Sequence, residues 1–114
     1  MIKKRSKFGN KKIAIDGIKF DSIKEGRRYG TLKLLKKAGE IKDFIIQAPF
    51  KYYINGKFIF TYNADFLVLH NDGSWEVEDV KGICRKTGKA VTTSTFNLKK
   101  RIIEEYYQIK IKII

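Results

Sequence analysis

Cysteine and histidine each occur only once in the 114 residues, as Cys84 and His70. A single cysteine cannot form a disulfide within its own chain, so the fold cannot depend on a disulfide framework. One cysteine and one histidine also cannot supply the four ligands of a structural zinc site. Disulfide-stapled domains and zinc fingers built from this chain alone are therefore excluded.

Long apolar runs are also absent. No stretch approaches the roughly 18 consecutive apolar residues that a membrane-spanning helix needs. The first residues, MIKKRSKFGNKK, lack the apolar segment of a secretory signal. We therefore expect a soluble protein without a membrane partner, located in the cytoplasm.

Acidic residues are scarce, with 12 Asp and Glu against 25 Lys and Arg and a net charge of +13. Residues 1–12 and 81–101 contain no acid at all. Such blocks predict a polyanionic partner, because Lys and Arg release condensed counterions from phosphate backbones. The sequence lacks the amphipathic anchor helix that binding to anionic lipid would need. Nucleic acid is favoured over a merely solvated basic surface. The residues predicted to contact it are Lys3, Lys4, Arg5, Lys7, Lys11, Lys12, Arg85, Lys86, Lys89, Lys99, Lys100 and Arg101.

The composition otherwise indicates one globular domain. Hydrophobic residues make up 43% and aromatic residues 13% of the chain, more than a disordered segment would carry. Two domains in this length would leave each half too small to bury a core. We predict a single domain over 1–114, with a flexible basic arm at 1–12 and the core at 13–114.

Turn residues and periodicity predict the first elements. Residues 13–20 alternate around Asp16-Gly17, a pair that suits a type I′ hairpin turn. A helix follows, with Ser22 as its N-cap and Gly39 at its end.

The remainder predicts strands, a second helix and a last strand, giving a mixed α/β (α+β) fold with helices on one or both faces of a sheet. Turns are expected at Asn55-Gly56 and at 71–73. A polar, basic loop spans 82–93, and Ser94 or Thr95 can cap the second helix. The predicted strand segments are 41–47, 50–54, 57–62, 64–70, 74–81 and 109–113.

The register of the hairpin that turns at 71–73 brings acidic residues together. A three-residue loop places Leu67 opposite Val77 and Asp65 opposite Asp79, with Lys81 on the same side of its strand as Asp79. Facing Cβ atoms lie only about 5 Å apart, so two carboxylates there would repel unless a cation or a proton intervenes.

Two interpretations of this group remain open from the residues alone. A hard cation held by the two carboxylates could polarise a phosphate and lower the pKa of a bound water, while the Lys81 ammonium stabilises developing charge. Alternatively, the acids are solvated and form a salt bridge with the lysine on an edge hairpin. The spacing favours neither.

The same residues resemble a known signature. Ala64-Asp65, followed by Glu78-Asp79-Val80-Lys81 at the end of the next strand, with Glu25 in the preceding helix, is similar to the PD-(D/E)XK nuclease superfamily. The segments KFGNKK, DGIKFDSIKEGRRY, LLKKAGEI, ADF and EVEDVKG also resemble small phage-borne proteins of that superfamily. The resemblance covers most of the chain and implies a restriction-endonuclease-like αβββαβ core.

By this resemblance, Asp65, Asp79 and Glu25 correspond to Mg²⁺ or Mn²⁺ ligands, and Lys81 to the catalytic lysine. Ala64 departs from the signature, which has Pro there. Glu25 has a second explanation, because Ser22 and Glu25 also form a capping-box sequence. Gln47, at the end of a strand, could contact the site or lie on the surface.

The resemblance implies a Mg²⁺-dependent DNA endonuclease. The chain is similar in its small size and basic arm to junction resolvases, which act as dimers on branched DNA. The resemblance therefore implies a dimer that acts in phage recombination, in the cytoplasm of a bacterial host. Two alternatives remain: a non-catalytic nucleic-acid-binding protein with the same fold, and a nuclease subunit that needs a recombinase or transposase partner.

Overall fold

The computed structural model describes residues 12–114, which form a mixed α+β fold, as predicted. The elements follow the order β1, β2, α1, β3, β4, β5, α2 and β6, so a hairpin precedes an αβββαβ arrangement. The predicted basic arm lies outside the described residues apart from Lys12, which is exposed. The contacts predicted for Lys3, Lys4, Arg5, Lys7 and Lys11 therefore also lie outside them.

Strands β1 (Ile13–Ile15) and β2 (Ile18–Phe20) form the first hairpin. Asp16 and Gly17 have φ angles of 55° and 76°, as a type I′ turn requires at both central positions. The predicted hairpin is confirmed. It forms a separate two-stranded sheet that packs against the first helix.

Helix α1 (Ile23–Lys37) begins and ends where the sequence predicts. The Ser22 hydroxyl accepts a hydrogen bond from the Glu25 backbone N–H at 3.1 Å. At the other end Gly39 takes a left-handed φ of 77°, and the N–H of Glu40 reaches back to the Leu35 carbonyl. Tyr29 and Leu32 on the inner face are buried.

The main sheet has four strands in the order β3-β4-β5-β6. The β3–β4 and β4–β5 pairings are antiparallel, and β6 joins β5 in parallel. The prediction of short segments at 41–47, 50–54, 57–62 and 64–70 is wrong in one respect, because they form two long strands rather than four. The strands are β3 (Asp43–Ile54), β4 (Lys57–Leu69), β5 (Trp75–Asp79) and β6 (Ile111–Ile113).

Helix α2 (Ser94–Tyr107) crosses from β5 to β6, as a parallel connection requires. Its N-cap is Thr93, whose hydroxyl accepts from the Phe96 N–H at 3.1 Å, so the prediction of Ser94 or Thr95 is wrong by one or two residues. Neither helix in the described range 12–114 is long and apolar enough to cross a membrane.

Two separate apolar clusters form the core, and the sheet changes face between them. Phe66 and Val68 of β4 pack in the cluster that contains the α1 residue Leu32, whereas Tyr62 and Ala64 of the same strand pack in the cluster that contains the α2 residue Ile103. Residues of equal parity would share one face in a regular strand.

The change of face occurs at the position occupied by Gln47 on β3 and Asp65 on β4. Gln47 has a left-handed φ of 49°, and the ladder pairs Ile46 with Phe66 and Ala48 with Ala64 on either side of it. One residue in this conformation reverses the direction of the side chains that follow. The predicted site residue Asp65 therefore lies where the two clusters meet.

Candidate functional site

The β4–β5 hairpin has the predicted register. Leu69 pairs with Trp75 and Leu67 with Val77, and the last pair in the ladder is Phe66 with Glu78. The predicted third pair, Asp65 with Asp79, is not part of the ladder, which ends one residue earlier. There the Asp65 side chain accepts a hydrogen bond on Oδ2 from the Val80 backbone N–H at 2.8 Å. Asp65 is thereby tied to the segment that contains Asp79 and Lys81.

A cleft of about 270 Å³ opens beside Asp65. The N-terminal ends of both helices line it, with Ser22 and Glu25 from α1 and Thr93 and Phe96 from α2. The remaining wall comes from the segment after β5. Because the N-terminus of a helix carries partial positive charge, two such ends around one cleft favour an anion inside it.

Glu25 faces this cleft from the first turn of α1 and is only 6% exposed. Its Oε1 accepts a weak hydrogen bond from Gln47 Nε2 at 3.4 Å. Burial, followed by the negative charges of Asp65 and Asp21, raises the pKa of Glu25 to about 7. Only one half of the capping box is seen among residues 12–114: the Glu25 backbone N–H bonds the Ser22 hydroxyl, whereas the Glu25 carboxylate accepts from Gln47 and not from the Ser22 N–H.

Asp79 is buried at 3% exposure at the end of β5. The Tyr62 hydroxyl donates a short hydrogen bond to its Oδ2. Burial raises the pKa of Asp79 to about 6, although Lys81 and the backbone N–H of Asp65 act in the opposite direction. Residue Ile114 brackets this segment, because its N–H donates to the Asp79 carbonyl and its carbonyl accepts from the Lys81 N–H.

Asp65 has a raised pKa as well. Burial is the largest cause, and the Val80 N–H, the Lys81 ammonium and the Gln47 amide partly oppose it. Three carboxyl groups from three different elements thus share a region where their charged forms are disfavoured. Such a region gains stability from a proton or a cation.

Lys81 lines the cleft, and its Nζ lies 3.9 Å from the centroid of the Phe96 ring. This cation–π contact joins the segment after β5 to the first turn of α2. The Lys81 carbonyl in turn accepts from Lys24 Nζ at 2.7 Å, which ties the same segment to α1. Lys81 is therefore held between the two helix N-termini.

The chemistry of these donors suits a hard divalent cation, since carboxylate oxygens are the ligands that Mg²⁺ and Mn²⁺ prefer. Glu25, Asp65 and Asp79 are the residues that could hold one. Within residues 12–114, no group of three His, Cys, Asp or Glu side chains is already arranged as a metal site. A cation would have to draw the three carboxylates closer together.

Sequence reasoning missed the ion pair that joins the two elements carrying the acids. Arg28 of α1 donates two hydrogen bonds to Glu78 of β5, from Nε at 2.8 Å and from Nη2 at 2.6 Å. Glu78 is 1% exposed. Arg28 lies one turn after Glu25, and Glu78 immediately precedes Asp79, so this pair fixes the distance between the elements that hold them. Nothing local in the sequence identifies such a contact.

Apart from Lys12, the predicted nucleic-acid-binding residues in the described part of the chain lie on the loop 82–93 and on α2. Arg85, Lys86 and Lys89 are exposed on the loop 82–93, which borders the cleft. On α2, Lys99 lies over the Phe60 ring and Lys100 forms an ion pair with Glu104. Arg101 lines a different groove, described below.

The fold and the cleft together define a small α+β protein with an acidic centre between two helix N-termini. Residues 5–114 match the family described as protein of unknown function (DUF1064), and the chain belongs to that family. Comparison with curated proteins and comparison with solved structures each give no match.

Proposed function

We propose that this protein is a metal-dependent DNA endonuclease of the PD-(D/E)XK type. The observation that carries the proposal is the convergence of Glu25, Asp65 and Lys81 on one cleft. Asp79 does not line that cleft, but it is buried close enough for its negative charge to contribute to the raised pKa of Glu25. Their element order and residue types are those that the resemblance to the superfamily implies. A basic loop next to an acidic centre fits a phosphate substrate.

Each side chain has a distinct role in this proposal. Asp65, Asp79 and Glu25 hold Mg²⁺ or Mn²⁺, which when bound neutralises phosphate charge and lowers the pKa of water. The Lys81 ammonium, held against Phe96, stabilises charge that develops on the phosphoryl oxygens. The two helix N-termini orient the phosphate without providing sequence information.

The proposed substrate is branched DNA recognised by shape. The exposed cations Arg85, Lys86 and Lys89 lie on the loop that borders the cleft and would contact backbone phosphates. Among residues 12–114 no helix or strand presents a row of Arg, Asn and Gln side chains suited to reading base edges in a groove. Structure-selective cutting therefore fits the chain better than sequence-specific cutting.

Cleavage of a labelled four-way junction in Mg²⁺ or Mn²⁺ tests the proposal. We expect Asp79→Asn and Lys81→Ala each to reduce the cleavage rate by about 100-fold or more, because the first removes the charge of a metal ligand and the second removes the ammonium that stabilises charge on the phosphate. Asp43→Asn and Lys57→Ala are matched controls, since both residues are exposed and neither lines the cleft. They should cut at the wild-type rate.

Binding measured on the same junction separates the alternatives. The catalytic variants should bind as the wild type does. A wild-type protein that binds the junction and leaves it intact in both metals from pH 6 to 9 would contradict the nuclease and support a binding protein. Cutting that appears only with an added recombinase or transposase would instead support a nuclease subunit.

A further inference from the structure

A second groove, of about 420 Å³, lies on the outer side of α2 and shares no lining residue with the carboxylate cleft. The α2 residues in it follow a spacing of three and four, so they form one stripe along the helix. Leu98 is 62% exposed and Tyr106 47% exposed, whereas Ile103 on the opposite side is fully buried. This outer stripe consists of Leu98, Arg101, Ile102, Glu105 and Tyr106, with Tyr52 of β3 beside it.

The outer stripe carries two opposite charges one helical turn apart. Arg101 and Glu105 are both exposed, and neither takes part in an ion pair among residues 12–114. The neighbouring residues Lys100 and Glu104, also one turn apart, do form such a pair. The stripe thus combines an exposed apolar row with charges that face solvent.

We propose that the outer stripe is the contact surface for a second copy of this chain. Two α2 helices packed antiparallel around a two-fold axis near Ile102 bring Leu98 of each copy against Tyr106 of the other. In the same arrangement Arg101 of each copy lies within a turn of Glu105 of the other. A two-fold interface needs a surface that is complementary to itself, and this pattern of charges meets the requirement.

The same charges argue against the other occupants of this groove. A nucleic acid would bring phosphates toward the Glu105 carboxylate, whose negative charge would repel them. A helix of 14 residues is about 21 Å long, so a single helix pair buries less than the roughly 1,600 Å² of a standard interface. The dimer should therefore dissociate in the micromolar range.

The association would bring two clefts into one assembly. The cleft residue Phe96 and the stripe residue Leu98 lie on the same helix, two positions apart. Rigid pairing of the two α2 helices would therefore fix the spacing between two carboxylate centres. The idea that this spacing lets the dimer cut two DNA strands together rests on the proposed function, whereas the interface itself does not.

Sedimentation equilibrium of the full chain, without DNA or metal, tests the interface. Leu98→Asp should abolish dimers over about 1 to 200 μM, because it places a carboxylate in the apolar row. Leu34→Asp is the matched control, since Leu34 is 69% exposed on α1, and it should leave the dimer unchanged. Circular dichroism of each variant checks that it folds.

Charge exchange provides the sharper test. Arg101→Glu and Glu105→Arg alone each place like charges across the axis and should raise the dissociation constant about tenfold or more. The double exchange restores both attractions and should return it to within about threefold of the wild type. A wild-type monomer at every concentration, or a double variant no better than the single ones, would overturn the proposal. A dimer without junction cleavage would contradict only the nuclease.

Discussion

Tyr62 is the residue whose removal should reveal how Asp79 is held. Its hydroxyl donates to a carboxylate that is almost completely buried. Tyr62→Phe leaves that carboxylate oxygen without its donor, and we expect the free energy of unfolding to fall by about 1 to 3 kcal/mol in urea titrations. Tyr53→Phe is the control, because Tyr53 is 40% exposed, and it should change stability by less than about 0.5 kcal/mol. Equal effects of the two changes would contradict a special role for Tyr62.

Glu25 should make the stability of the protein depend on pH. Its pKa of about 7 in the folded chain lies above the ordinary 4.5, so the folded state binds more protons between these values. The stabilising contribution is therefore complete below pH 4.5 and is lost as the pH rises through 7. We expect metal-free protein to lose stability from pH 5 to pH 8 by an amount on the order of 1 to 3 kcal/mol.

Two controls separate Glu25 from the other acids. Glu25→Gln keeps the size of the side chain and removes its titration, so the slope of stability against pH should become shallower. Glu40→Gln changes an exposed glutamate just after α1 and should leave the slope as in the wild type. An identical slope for Glu25→Gln and the wild type would contradict the raised pKa.

At the level of elements, α1 and β5 are joined by one bidentate ion pair that should contribute more than any exposed pair. Arg28→Met leaves the Glu78 carboxylate buried and unpaired, which we expect to cost about 3 to 5 kcal/mol. Replacing both residues, by Arg28→Met with Glu78→Leu, should recover most of that loss. Denaturant unfolding of the three variants measures these changes.

The exposed pair Lys36–Asp43 supplies the comparison for this cycle. Lys36→Met should cost no more than about 1 kcal/mol, because exposed ion pairs contribute little. If Arg28→Met costs as little as Lys36→Met, the buried pair does not hold α1 on the sheet. Cleavage activity of the double variant Arg28→Met with Glu78→Leu then tests whether α1 and β5 keep their relative position. We expect lower activity, because an apolar pair cannot fix the angle between the two elements as two hydrogen bonds do.

The elements themselves could be predicted because their signals are local. The Asp16-Gly17 turn, the Ser22 cap and the register of the β4–β5 hairpin each depend on a few adjacent residues, and the structure has all three. The αβββαβ order, which the resemblance implies, is also the order of elements in the structure after the first hairpin. Identification of the acids rested on the same hairpin register together with the resemblance to a nuclease signature.

The unpredicted features depend on contacts far apart in the chain. The left-handed φ of Gln47 gives no signal in the sequence, because glutamine does not favour that conformation. The alternation of buried and exposed residues continues through both long strands, so it gives no sign of the change of face. The sequence predicts breaks at 48–49 and at Asn63, where Pro49 and Asn63 are residue types depleted in strands. The Tyr62–Asp79 and Arg28–Glu78 contacts span 17 and 50 residues, beyond the reach of any local pattern.

For the whole molecule, the uneven distribution of charge should appear in the salt dependence of the proposed DNA binding. Arg85, Lys86 and Lys89 are exposed on the loop beside the cleft. Replacing all three with Ala should lower the slope of log K against log salt by about 3, close to one unit for each lost phosphate contact. Fluorescence anisotropy at several salt concentrations measures the slope.

Three lysines elsewhere provide the control for this slope. Lys19, Lys57 and Lys110 are exposed and lie on β2, at the start of β4 and just before β6. Their replacement with Ala lowers the net charge equally but removes no cation from the loop, so the slope should change by less than about 1. Equal slopes in the two triple variants would mean that the protein attracts DNA through overall charge alone.

The strand at the border of the main sheet affects solubility. β3 is an edge strand of 12 residues, a length that would ordinarily invite another chain to add to it and start a fibril. Pro49 has no N–H to offer, Gln47 breaks the pleat, and the register shifts between Tyr52 and Tyr53. These interruptions leave no long regular row of partners, so copies can meet at high concentration without β-aggregation along this edge.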